Sequence, residues 1–107
     1  MLDHARAAVE IVGMSSLEEF SADRTRVLAT TRAVQVVGEA ANEVAAEVQR
    51  GLPSVPRRDA IAMRRKLLHG YRTVLPGIIH KTVRENFPAL IAELERLLNE
   101  RAKSDGA

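Results

Sequence analysis

The chain has 107 residues, 46% hydrophobic and 28% charged, with a formal net charge of +2. That length supports one small domain over residues 1–107, and the absence of cysteine excludes disulfides and thiolate metal sites. Aromatics make up only 3%, so the core must come from Leu, Val, Ile, Ala and Met, a composition that with abundant Glu and Arg favours helix. No signal peptide and no apolar run of membrane-spanning length is read, and the expectation is a cytoplasmic protein with no membrane contact.

In chain order, Leu2, Ala5, Val9 and Val12 recur at three- and four-residue steps, which predicts an amphipathic helix over Leu2 to Met14 ending near Gly13. Ser16 followed by Glu19 fits a capping box that opens a short helical turn through Phe20, and Ser21 is placed to cap again. No proline interrupts Ala22 to Arg50. There Val27, Leu28, Val34, Val37, Ala41, Val44 and Val48 trace the expected apolar face of the longest helix, with Gly51 as its stop. Leu52 to Pro56 reads as a rigid connector. A fourth helix is expected over Arg57 to Arg72. Pro76 and Pro88 each suit the first turn of a further helix, one ending near Glu85 and the other near Ala102. Residues 103–107 are polar and read as a frayed tail. The expected fold class is all-α, an antiparallel helical bundle.

Charge is unevenly spread along these elements. Between Arg57 and Arg72 there are six basic residues, Arg57, Arg58, Arg64, Arg65, Lys66 and Arg72, against one acid, Asp59. The segment carries +5 and the remaining chain −3. A basic island on an acidic body suits a local anion site, and nucleic acid is the commonest large anion; a solvated helix face has the same composition. The acidic row Glu39, Glu43 and Glu47 lacks a neighbouring histidine and reads as a face paired with arginines rather than a metal site. His4 and His80 read as surface or edge histidines. No Gly-rich phosphate loop, Ser/His/Asp set or metal motif is present, and no cofactor is expected.

Within the island, Arg64, His69 and Tyr71 stand close together in a chain with three histidines and one tyrosine. A guanidinium grips phosphate oxygens and an imidazole moves protons near neutral pH, so this pair can act on a phosphodiester without metal. At 100° per residue, however, His69 falls roughly 140° from Arg64. An unbroken helix keeps the two apart. Either the helix loosens at Gly70, or a second copy brings its histidine beside this arginine, which predicts a twofold dimer with a shared cleft. By spacing alone the three residues are better read as part of an ordinary amphipathic helix with a core tyrosine.

The segment resembles the R-x4-H-x-Y motif of the HepT toxins, minimal members of the HEPN superfamily of helical ribonucleases. The likeness extends along the chain: Leu17 to Phe20 with Asp23, then Gly38 to Asn42, then Pro53 with Val55 and Pro56. Ala62 and Met63 precede the motif in the expected register, and Thr82, Val83 and Pro88 to Leu90 follow it. The resemblance implies a homodimeric toxin that cleaves RNA, whether tRNA or mRNA, without metal. Arg64 and His69 would be catalytic, and the basic residues Arg57, Arg58, Arg65, Lys66 and Arg72 would hold RNA. It also implies a cognate antitoxin, a MntA-like minimal nucleotidyltransferase that adds AMP to Tyr71. Two positions depart from the family pattern: Arg65 stands where Asn or Asp is usual, and Arg57 where tryptophan is frequent. Arg65 keeps an alternative open, a catalytically inactive helical partner or substrate-binding subunit of a minimal nucleotidyltransferase. A DNA-binding regulator is a third reading, disfavoured by the lack of helix-turn-helix spacing.

Overall fold

Local chemistry sets several of the helix ends. The computed structural model describes residues 1–51, 56–67 and 75–106, and these form six α-helices with no strand among them. Helix α1, Leu2–Val12, stops at Gly13, whose φ of 51° is a left-handed conformation that glycine adopts without strain. The predicted capping box is present at α2, Leu17–Ala22: the Ser16 hydroxyl accepts from the Glu19 amide and the Ser16 amide donates to the Glu19 carboxylate, both at 3.1 Å.

The next cap differs from expectation. Ser21 lies inside α2, and Asp23 instead caps α3, Arg24–Gln49, accepting from the Arg26 amide at 3.1 Å. Asp23 is the residue whose backbone is extended at the junction, the geometry an N-cap requires. Helix α3 ends before Gly51, which takes the left-handed conformation predicted for a helix stop. Helix α4 is Arg57–Leu67; the rest of the expected fourth helix, and connector residues 52–55, lie outside the described residues. Helices α5, Pro76–Glu85, and α6, Phe87–Gly106, each carry proline in the first turn, and α6 runs past Ala102.

The elements pack as a bundle around α3. Helix α1 lies mainly along α3 and also meets α5 and α6; α4 sits between α3 and α6; α2 is held by α3 and α5. The largest fully buried side chains are Phe20, Phe87, Met63, Ile79 and Leu90, joined by Val12, Val34, Val37 and Val83. The buried stripe of α3 is Thr30, Ala33, Val34, Val37, Gly38 and Ala41, at helical spacing. Leu28, expected on that face, is 59% exposed because it stands six residues, about 120° of rotation, from Val34. Val44 and Val48 are only partly buried. Among the described residues no helix is long and apolar enough to cross a membrane.

Candidate RNA-binding site

Helix α4 is anchored on one side and cationic on the other. Asp59, Ala60 and Met63 are buried, facing α3 and α6. By helical rotation Arg57 and Arg64 follow on from this buried arc, then Ile61, then Arg65 and Arg58. All five of these side chains are exposed. The one acid of the island is therefore turned inward, leaving four guanidiniums on the outer face. Among the described residues none of the four makes an ion pair. Four unneutralised cations in under three turns of helix suit a phosphate backbone.

The anchor is an ion-pair cluster between α4 and α6. Asp59 is 3% exposed, and its carboxylate accepts from Arg96 Nη2 at 2.6 Å. Arg96 is held in turn by its own helix, through Glu93 at 2.7 Å and Glu100 at 2.7 Å. Burial pushes the Asp59 carboxyl above the ordinary aspartate range, a hydrogen bond with Glu93 pushes it the same way, and Arg96 pulls only partly back. The guanidinium cannot cancel the burial because three carboxylates share it. Its own pKa is raised, chiefly by the hydrogen bonds to Glu93 and Glu100. Nothing in the sequence pattern marked Asp59 as an anchor beyond its place as the only acid in the first turn of a basic helix.

Beside this helix runs a groove of about 280 Å³ between the C-terminal half of α3 and α4. Ala45, Val48, Ala60 and Ile61 form its apolar lining; Gln49, Arg57 and Arg64 supply its polar groups. On the other side of Ile61 a second, more open depression is lined by Arg57, Arg58, Ala62 and Arg65. Ile61 thus forms a ridge, 49% exposed, between two cationic hollows.

The structure places Arg64 at the groove and Arg57, Arg58 and Arg65 on the same outer face. Lys66 belongs to α4 by its backbone, whereas His69, Tyr71 and Arg72 lie outside the described residues. His80, expected as a surface or edge histidine, is held by contacts outside its own helix. It is half-buried, its Nε2 is 2.8 Å from the Ser15 carbonyl, and its ring centre is 5.4 Å from that of Phe20. Arg84 donates to the same carbonyl at 3.3 Å, so α5 is fastened to the turn between α1 and α2. In the acidic row Glu39 and Glu43 are exposed, and Glu43 lies 3.9 Å from Arg50. Among the described residues no three side chains are grouped to hold a metal ion.

Comparison with known proteins adds ancestry to this geometry. The profile of the family described as Ribonuclease HepT-like matches residues 1–97. A chain of Thermococcus cleftensis, named as a probable ribonuclease HepT, is 35% identical over 80 residues, 75% of this chain and 73% of that one. A chain of Caldanaerobacter subterraneus subsp. tengcongensis, named as a candidate RNase, is 29% identical over 98 residues, 92% of this chain and 88% of that one. A third, from Methanocaldococcus jannaschii and similarly named, is 25% identical over 100 residues, 94% of this chain and 83% of that one. No solved structure matches. A match over nearly the whole length, with a helical bundle that exposes an arginine-lined groove, places this chain in the HepT-like ribonuclease family.

Proposed function

We propose that this HepT-like ribonuclease is the toxin of a HEPN/MNT toxin–antitoxin system, a metal-independent endoribonuclease that works through Arg64 and His69. The observation that supports it best is the outer face of α4, where Arg64 stands among three further guanidiniums with no carboxylate partner among the described residues. In this reading the 2′-oxygen of a ribose attacks the adjacent phosphorus while His69 accepts the hydroxyl proton. Arg64 stabilises the added charge on the pentacoordinate phosphate. The bond to the 5′-oxygen then breaks, that oxygen takes up a proton, and a 2′,3′-cyclic phosphate remains. DNA has no such hydroxyl, so RNA selectivity follows from the reaction itself.

A helix continued unbroken to His69 would hold that imidazole well away from its own Arg64, and a twofold dimer, or a loosening at Gly70, would bring an imidazole to the guanidinium. The cognate nucleotidyltransferase antitoxin would attach AMP to Tyr71. The adduct would oppose RNA entry by its bulk and by its negative charge. Purified protein should cleave RNA in excess EDTA, and Arg64→Ala and His69→Ala should each lower the rate by about 100-fold or more while leaving the thermal transition in place. Undiminished cleavage by His69→Ala would refute the assignment. RNA left intact by wild-type protein that still forms a complex with its transferase would favour the non-catalytic reading that Arg65 keeps open.

A further inference from the structure

We propose that the groove between α3 and α4 is a subsite for one unpaired nucleotide adjoining the phosphate that Arg64 holds; the inference rests on the ribonuclease reading above. Arg64 is itself a wall of the groove, so whatever lies there is within reach of the guanidinium assigned to the reacting phosphate. Arg57, seven residues earlier on the same face, stands about 10.5 Å along the helix axis, so two cations flank the apolar floor. That floor of Ala45, Val48, Ala60 and Ile61 offers contact to the flat face of a base, against which a guanidinium can also stack. A volume of about 280 Å³ lies near the lower bound of small-molecule pockets, roughly 300 Å³, which suits one nucleotide rather than a helical segment.

A base stacked inside a duplex cannot turn into such a slot, so the substrate must be unpaired at this position. Gln49 is the lining residue whose side-chain amide both donates and accepts, which makes it the candidate reader of the base edge. Charge favours an anionic occupant: a phosphate chain neutralises Arg57 and Arg64 on the groove walls, and Arg58 and Arg65 beside them.

The test uses the full chain in EDTA with one labelled RNA presented as a single strand, as a perfect duplex, and as the loop of a hairpin. Wild-type protein should cut the strand and the loop and spare the duplex. Ala45→Trp, which fills the groove without changing charge, should raise KM for the strand about tenfold. Gln49→Ala should alter the nucleotide preferred beside the cut. Equal cutting of duplex and strand would overturn the proposal, as would wild-type KM and cut sites in both variants. A changed oligomeric mass for Ala45→Trp would also overturn it, by showing that a second copy covers the groove. Should wild-type protein cut nothing, the ribonuclease reading falls and fluorescence anisotropy of the labelled strand decides the groove: about tenfold weaker binding by Ala45→Trp supports the subsite, and equal binding refutes it.

Discussion

Two adjacent threonines in α3 should respond with opposite sign to the same substitution. Thr30 is fully buried and, among the described residues, its Oγ1 has no hydrogen-bond partner. Thr31 is half-buried, and its Oγ1 donates to the Val27 carbonyl at 2.6 Å. Valine has the shape of threonine, the same branching at Cβ and a similar helix propensity, so Thr→Val isolates the hydroxyl. At Thr30 the change removes a buried polar atom that lost water and gained nothing, which should stabilise the fold by about 1 kcal/mol. At Thr31 it removes a hydrogen bond and should cost roughly 0.5–1 kcal/mol. Urea unfolding reads the difference directly. With an m-value near the low end of the usual range, about 1–1.5 kcal/mol/M, the two midpoints should separate by about 1–2 M around that of wild type. A loss of stability in Thr30→Val as large as that in Thr31→Val would refute the reasoning, because it would mean that the Thr30 hydroxyl is satisfied in the folded protein.

Other consequences follow from the caps, the anchor and the basic face. Because burial raises the folded-state pKa of Asp59 above its unfolded value of about 3.9, its contribution is fully present below that value and is lost as pH rises through the folded pKa. The stability of wild type relative to Asp59→Asn should therefore fall as pH rises out of the acid range, and parallel profiles would refute this. Glu19 has the opposite sign: hydrogen bonds from the Ser16 amide and hydroxyl lower its pKa, so its contribution disappears as pH falls through the folded value, and Glu19→Gln should remove that acid-side loss. Gly51→Ala should cost about 1 kcal/mol by thermal or urea unfolding, since the space around the added Cβ is open and the left-handed backbone is the only penalty. Arg58→Ala and Arg65→Ala should each reduce the salt dependence of single-stranded RNA binding by roughly 0.7 in the log–log slope, and an unchanged slope would remove that residue from the contact face.

Much of the architecture was legible residue by residue because its causes are local. The Ser16/Glu19 box, the stops at Gly13 and Gly51 and the prolines in the first turns of α5 and α6 depend on neighbours a few residues away. The misplaced readings have a common cause. Hydrophobicity puts Leu28 on the buried face, and residue type makes Ser21 a cap. Rotation about α3 and the extended backbone at Asp23 determined otherwise. His80 reads from sequence as an edge histidine because its contacts, Phe20 and the Ser15 carbonyl, come from some sixty residues away.

The candidate site divides along the same line. Sequence by itself established a helical chain, a basic island, and Arg64, His69 and Tyr71 at the spacing of the HepT toxins. Such features follow from residue type and short-range periodicity, which no folding partner is needed to define. Only the tertiary structure decided that Asp59 turns inward to Arg96, that Ile61 is left exposed as a ridge among arginines, and that Arg64 borders a groove on α3. Which side of a helix is buried, and which cations keep no counter-charge, is settled by what packs against it from elsewhere in the chain.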